Sequence, residues 1–154
     1  MVSEVVQFGN LLQADTRGLE VASHWSPIAA WQLDASYTFF RLFPHPGTSV
    51  DPASAAYDGN APRHQWQLHS GFPIGRRGML DAIVLHVGML EQTQVAAYTR
   101  ADVRGEWRVT ESLSAIVVGQ NLLDAAHREF SGRITFLTAT QIPRSVSVRL
   151  RWKF

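Results

Sequence analysis

Cysteine is absent from this sequence of 154 residues, and charged residues are few. The lack of cysteine excludes disulfide scaffolds, thiolate zinc sites and cysteine nucleophiles. Charged residues make up 18% of the chain, and 14 Lys and Arg nearly balance 13 Asp and Glu, so the charge gives no support for nucleic-acid binding. Because 45% of the residues are hydrophobic, the composition also excludes intrinsic disorder.

Long apolar runs are missing as well. No stretch reaches about 18 consecutive apolar residues, which excludes a membrane-spanning helix. Residues 1–4 are not a basic region followed by an apolar stretch, so no signal peptide is predicted there. Taken alone, these two absences are typical of a cytosolic protein, but the pattern along the chain indicates a different location.

Alternation of apolar and polar residues is the dominant pattern. Every second residue from Val146 to Phe154 is apolar, and the residues between them are Ser, Arg or Lys. Residues 98–109 alternate in the same way, with Val103 and Trp107 on one side of the strand and Arg104 and Glu106 on the other. A period of two places the two sets on opposite faces of a β-strand. The sequence therefore predicts an all-β protein of about eight strands, at residues 2–9, 19–25, 31–39, 65–72, 80–90, 98–109, 113–120 and 145–154.

The predicted connections alternate between short and long. Short links at residues 26–28, 73–78 and 110–112 are rich in turn-forming residues, whereas the links at 10–16, 44–62, 91–97 and 123–143 are longer. Antiparallel strands with short turns at one end and longer loops at the other are the plan of an outer-membrane β-barrel, whose short turns face the periplasm.

Aromatic residues collect near the short turns. Bulky aromatics at a common height form a girdle between lipid headgroups and acyl tails. The sequence predicts such a periplasmic girdle from Trp25, Trp31, Phe72, Trp107 and Trp152.

The alternating strands leave two other interpretations open. Mixed charges on the polar face suit a water-filled lumen, but they suit the solvated outside of a soluble barrel about equally well. A soluble eight-stranded, lipocalin-like ligand-binding barrel and a complete small outer-membrane barrel are therefore the alternatives.

Four stretches resemble the C-terminal part of TonB-dependent outer-membrane receptors, which take up ferric siderophores, cobalamin and similar scarce nutrients. Residues 16–21, TRGLEV, are similar to the family's "yGvE" strand start, and residues 61–65, APRHQ, to the strand that follows an outer loop. Residues 117–124, VVGQNLLD, resemble the "gxNLxD" strand end, and residues 142–154 resemble the closing segment.

The resemblance implies that the whole chain, residues 1–154, is the C-terminal part of a receptor barrel in the outer membrane of a Gram-negative bacterium. Its strands would be an arc of a barrel of about 22 strands. The family's plug domain, TonB-contacting segment and signal peptide have no counterpart in these residues, which implies a fragment of such a receptor. In the full-length receptor, a plug domain and TonB would be partners.

Ligand and assembly contacts are also implied by the resemblance. Family members bind their ligand at the outer mouth, so the contact candidates are His45, Tyr57, His127, Arg128 and Phe130. In the family, a C-terminal aromatic strand is the signal read by the barrel-assembly machinery, which implies that role for Val148, Leu150, Trp152 and Phe154. Outer-membrane lipid is the remaining expected partner.

No enzyme, cofactor or metal site is predicted. The six histidines are spread along the chain without metal-ligand spacing, and residues 75–78 indicate a basic turn rather than a phosphate loop. Asn121 and Asp124 are expected to cap the turn where their strand ends.

Overall fold

The computed structural model describes residues 11–45, 47, 59–131 and 139–154, and its regular structure is antiparallel β-sheet. One sheet contains seven strands in chain order. The two short strands β7 and β8 form a separate pair near one end of it. The bounds are β1 (Gln13–Ile28), β2 (Trp31–His45), β3 (His64–Ile74), β4 (Gly78–Val87), β5 (Tyr98–Arg108), β6 (Leu113–Gln120), β7 (Ala126–His127), β8 (Ile142–Pro143) and β9 (Ser145–Trp152).

Seven of the predicted strands correspond to the seven strands of this sheet, and the predicted strand at residues 2–9 lies outside the described residues. Several boundaries differ from the prediction. The link expected at residues 10–16 is largely strand, because residues 13–17 pair one by one with residues 41–45 of β2. The link expected at residues 123–143 contains β7 and β8, which pair with each other through Ala126 and His127.

Connections within the sheet alternate in length as predicted. Residues 29–30, 75–77 and 109–112 make tight turns at one end, whereas residues 46–63, 88–97 and 121–144 connect strands at the other. Gly75 has a φ of 60°, which glycine adopts without steric cost, and this explains its place in the second turn. Thr110 closes the third turn, since its hydroxyl accepts hydrogen bonds from the Ser112 and Leu113 amides.

The strand register separates the chain into two faces. A single row of directly paired residues crosses the sheet from Trp25 on β1 to Val146 on β9, and all of its other members are small or apolar: Leu33, Ser70, Ala82, Val103 and Gly119. Since alternate residues share a face, the rows two and four residues away lie on the same side of the sheet. We call this side the outward face and the opposite side the inward face.

The girdle aromatics all lie on the outward face, and they step down the sheet from strand to strand. Relative to the row of Trp25, Trp31 and Phe72 are two residues nearer the tight turns, Trp107 four and Trp152 six. Six strand-to-strand steps separate β1 from β9. With about 3.3 Å per residue and about 4.8 Å between strands, the rings of Trp25, Phe72, Trp107 and Trp152 are level if the strands tilt by about 35°, and Trp31 lies about one residue nearer the turns. That tilt is typical of membrane barrels.

Few apolar side chains are buried in the described part of the chain, in contrast to a soluble protein of this size. Among the described residues, only Val95 and Ile116 are buried hydrophobic side chains. The outward residues of β9, from Val146 to Trp152, are 68–72% exposed. On the inward face, the side chains of Asp81 and Glu106 are only 22% exposed. Large apolar side chains of the outward face are therefore exposed at several strands, and parts of the charged inward face are covered by neighbouring side chains.

The sheet has two open edges, since β1 and β9 each pair along one side only within the described part of the chain. These residues therefore form an arc rather than a closed barrel. No helix in the described ranges has the length and apolar character needed to cross a membrane.

Candidate functional site

A chain of ion pairs and hydrogen bonds crosses the inward face near the tight turns. On β1 and β2, His24 Nδ1 lies 2.6 Å from Asp34 Oδ1. His69 on β3 lies between two carboxylates, with Nδ1 3.3 Å from Asp34 and Nε2 3.7 Å from Asp81. The register thus places His24, Asp34 and His69 directly beside one another on three adjacent strands.

The same chain continues to the last strand. Arg104 on β5 contacts Asp81 at 3.0 Å and also pairs with Glu106. Arg151 on β9 lies 3.1 Å from the second oxygen of Glu106. Its side chain passes over β6, where the apolar residue Ile116 pairs with Glu106 on one side and Arg149 on the other. We call this set the charge ladder: His24, Asp34, His69, Asp81, Arg104, Glu106 and Arg151.

The charge ladder is a polar surface of paired bases and acids. Its members alternate between bases and acids, so each charge has an opposite neighbour and every exposed pair contributes at most about 1 kcal/mol. Such a wall suits a water-filled lumen or contact with a polar polypeptide. Sequence reasoning predicted the mixed charges but not their partners, which depend on the register.

At the loop end of the inward face, Asn121 joins three segments of the chain. It is fully buried and has a φ of 53°, a conformation that Asn tolerates better than most residues. Its amide donates to Asp102 Oδ1 at 2.9 Å, and its side-chain Nδ2 donates to the carbonyl of Ile142 at 2.9 Å. Asp124 contributes through its backbone carbonyl, which accepts a hydrogen bond from Arg144 Nε. Asn121 therefore fixes the turn after β6 against β5 and β8.

His127 packs directly on this turn. Its side chain is only 4% exposed, and its ring stacks on Tyr98 with centroids 4.2 Å apart. Nδ1 lies 3.1 Å from Asn121 Oδ1, and Nε2 lies 3.0 Å from Glu129 Oε1. Glu129 in turn lies 3.7 Å from Arg100. The network anchors the outer loop to β5.

A cavity of about 600 Å³ lies beside this network. It is lined by Tyr98, Asp124, His127, Arg128 and Gln141, among others, so it combines an aromatic surface with charges of both signs. The structure thus brings two of the predicted ligand contacts, His127 and Arg128, to one cavity. Of these, His127 is mostly engaged by protein, whereas Arg128 is exposed.

The other predicted contacts are placed differently. His45 is the last residue of β2 rather than a loop residue, and its Nε2 lies 3.0 Å from Asp15 on β1. Phe130 is half-buried in the loop after β7. Tyr57 lies outside the described residues.

The predicted girdle and assembly residues share the outward face. Trp31 and Phe72 contact each other edge to face, with centroids 6.3 Å apart, and the Trp31 indole donates to Ser70 Oγ at 2.9 Å. Val148, Leu150 and Trp152 are exposed on β9, and Phe154 follows the strand, also exposed. In the part of the chain that the structure describes, no three His, Asp or Glu side chains converge into a group that could hold a metal ion.

Comparisons with known proteins give matches at the level of structure. No family model matches the sequence, and no curated protein matches it. The ferric yersiniabactin uptake receptor FyuA from Yersinia pestis superposes with a TM-score of 0.74 at 24% identity, over 94% of this chain and 24% of that one. The siderophore receptor PiuA from Acinetobacter baumannii superposes with a TM-score of 0.71 at 19% identity, over 94% of this chain and 22% of that one.

A third solved structure, the pyoverdine outer-membrane receptor FpvA from Pseudomonas aeruginosa PAO1 bound to pyoverdine, matches with a TM-score of 0.69 at 20% identity, over 92% of this chain and 22% of that one. These neighbours are TonB-dependent siderophore receptors, which are transport receptors rather than enzymes. The chain spans about a fifth to a quarter of their length. It therefore has the fold of a section of a siderophore-receptor barrel.

Proposed function

We propose that this chain is part of the wall of an outer-membrane transporter that takes up a scarce nutrient, such as a ferric siderophore, with energy supplied through TonB. In this proposal, residues 1–154 are the C-terminal part of the barrel. The remaining strands and a plug domain belong to a longer receptor.

The observation that carries the proposal is the outward face. Most of its residues between the tight turns and the arginines Arg17 and Arg41 are apolar or small, and most of its aromatic rings are level at a tilt that barrels adopt. A soluble barrel would bury this face inside and expose the charged one. Instead, large apolar side chains of this face are exposed on several strands, with Trp25 at 61%, Leu68 at 43% and Trp107 at 48%, which disfavours the lipocalin-like alternative.

The open edges support a section of a larger barrel over a complete small one. Lipid offers no hydrogen bonds to a strand edge, so in a membrane both β1 and β9 need further strands. The structural neighbours are four to five times longer than this chain, and their extra length accommodates such strands.

The inward face supplies the transport part of the proposal. The charge ladder would line the lumen and contact a plug domain or hydrated cargo, while the cavity beside Arg128 would lie at the outer mouth. Arg128 and Phe130 are the more accessible ligand-contact candidates, and His127 shapes the cavity wall. Val148, Leu150, Trp152 and Phe154 would guide assembly by the barrel-assembly machinery.

Nutrient uptake by the bacterium that carries the gene tests the proposal. Codons 1–154 are deleted in frame, and uptake of ⁵⁵Fe bound to the organism's own secreted siderophores and of radiolabelled cobalamin is followed under iron limitation. We expect uptake of one of these nutrients to fall to the level seen in a strain without TonB. Complementation with a variant carrying Arg76→Gln and Arg77→Gln, in an exposed turn, should restore it.

Two results would contradict the proposal. One is uptake of both nutrients that is unaffected by the deletion but abolished by loss of TonB. The other is recovery of the protein in the soluble fraction of the cells without detergent.

A further inference from the structure

Two arginines interrupt the apolar outward face at its loop end. Arg17 on β1 and Arg41 on β2 are directly opposite each other in the register, one row beyond Leu19 and Phe39. Directly opposed side chains in an antiparallel pair have Cβ atoms about 5 Å apart, and like charges in this position destabilise a sheet. Their placement therefore requires a reason other than the stability of the strands.

Both guanidinium groups lie over one aromatic ring. The Cζ atoms of Arg17 and Arg41 are 5.3 Å and 4.9 Å from the centre of the Phe43 ring. The two positive charges therefore converge on a single point, and Phe43 supplies the floor between them.

Neither arginine forms an ion pair with the chain's own acids, since no carboxylate lies within ion-pair distance of either one among the described residues. Arg41 Nε is also buried without a hydrogen-bond partner. The nearest acid along the outward face is Asp15, whose Oδ2 is occupied by His45 Nε2 at 3.0 Å. Two fork-shaped donors thus face outward with unused hydrogen-bonding capacity.

The distance of Arg17 and Arg41 from the periplasmic aromatic girdle places them at the outer boundary of the membrane. Arg17 is eight residues from Trp25 along β1. At about 3.3 Å per residue and a tilt of about 35°, this separation is a rise of about 22 Å above the periplasmic girdle. The apolar band of a membrane barrel is about 25 Å tall, so both guanidinium groups reach the outer headgroup layer.

We propose that Arg17, Arg41 and Phe43 form a binding site for the phosphate group of a lipid in the outer leaflet. Guanidinium groups bind phosphate oxygens in pairs of parallel hydrogen bonds, and the phosphate would neutralise the repulsion between the two arginines. Phe43 and the aliphatic row below it would contact the acyl chains. This proposal rests on the membrane orientation in the proposed function.

Native mass spectrometry of the protein purified from outer membranes in detergent tests the site. The probes are short-chain phosphatidic acid and lipid A, compared with phosphatidylcholine of the same chain length and with inorganic phosphate. We expect the phosphomonoester lipids to be retained at least about tenfold more tightly than phosphatidylcholine.

Substitutions of the two arginines test which side chains hold the lipid. Arg17→Gln with Arg41→Gln should weaken retention of phosphatidic acid by at least about tenfold, and Arg41→Lys by less, because it keeps the charge but loses the fork. The matched control, Arg76→Gln with Arg77→Gln, removes the same charge from a turn at the other end of the sheet and should change retention by less than about twofold. Asp15→Asn should strengthen retention, since it removes the nearby negative charge.

Equal retention by wild type and the Arg17→Gln, Arg41→Gln variant would overturn the proposal. Tight binding of inorganic phosphate without any preference for the lipids would also overturn it, because the site would then take free phosphate. Quenching of tryptophan fluorescence by brominated lipids is measured in the same samples. If brominated lipids quench the tryptophans but no lipid is selectively retained, only the phosphate site is wrong. If they do not quench the tryptophans, the proposed membrane location is wrong.

Discussion

The two faces of the sheet differ in how their side chains are stabilised. On the outward face, large apolar side chains are exposed, among them Trp25 at 61% and Trp107 at 48%. On the inward face, side chains from six strands are connected by ion pairs, from His24 on β1 to Arg151 on β9. In the proposed membrane orientation, hydrocarbon surrounds the outward face, whereas the charged groups of the inward face pair largely with one another.

The same contrast predicts which substitutions cost the most free energy of unfolding. A charge placed against hydrocarbon costs several kcal/mol, whereas breaking a partly exposed ion pair beside water costs about 1 kcal/mol or less. Substitutions on the two faces of the same strand are therefore expected to have very different effects, and β9 allows the comparison between neighbouring residues.

Assembly should show the largest effect. Trp152→Ala combined with Phe154→Ala removes the terminal aromatic residues of the outward face, and we expect most of the protein to fail to reach the outer membrane. The control, Ser147→Ala with Arg149→Ala, changes the inward face of the same strand and should assemble normally. Outer-membrane fractionation with heat-modifiable gel migration measures both, and normal assembly of the aromatic variant would refute the assigned signal.

Stability in lipid vesicles should show the next largest effect. Val148→Arg places a charge on the outward face about four residues above Trp152, and we expect the free energy of unfolding to fall by about 2–4 kcal/mol. Ser147→Arg, one residue away on the inward face, should cost less than about 1 kcal/mol. Guanidinium titration gives both values, and similar losses for the two variants would remove the distinction between the faces.

The turn after β6 tests the inward face at its outer end. Asn121→Ala removes the hydrogen bonds to Ile142 and His127 and places a less tolerant residue at a φ of 53°. We expect the free energy of unfolding to fall by about 2 kcal/mol. Asn121→Gly tolerates the backbone conformation and should recover part of the loss; an unchanged stability in both variants would show that the turn is not fixed by this side chain.

The charge ladder should show the smallest effect. Glu106→Gln leaves Arg104 and Arg151 without their shared carboxylate, and we expect a loss of about 1 kcal/mol at low ionic strength. Because salt screens such pairs, the loss should shrink in about 1 M NaCl, while the cost of Val148→Arg should not. A loss from Glu106→Gln that is independent of salt would contradict the ion-pair interpretation.

The strands and their faces follow from the sequence because the side-chain period in a strand is fixed at two. Residues 98–109 and 145–154 show that period clearly, and both are strands on which the predicted apolar residues face outward. The run at residues 80–90 is apolar on both sides, so its end could be placed only from the structure, where β4 stops at Val87.

The partners of charged residues did not follow from the sequence. Arg104 could have paired along its own strand or with any facing acid, and only the register places it between Asp81 and Glu106. His127 was predicted as a ligand contact from its loop position, but its packing against Tyr98 depends on the pairing of β7 with β8, for which two-residue strands leave no periodic signal.

Accessibility along β9 tests the central claim most directly. The chain has no cysteine, so residues 145–152 can be replaced by Cys one at a time and labelled with a nitroxide without background. In membranes, we predict that labels at 146, 148, 150 and 152 collide with dissolved oxygen, which concentrates in hydrocarbon, and that labels at 145, 147, 149 and 151 collide with a water-soluble nickel chelate. The opposite phase, or no alternation at all, would show that the apolar face does not contact lipid.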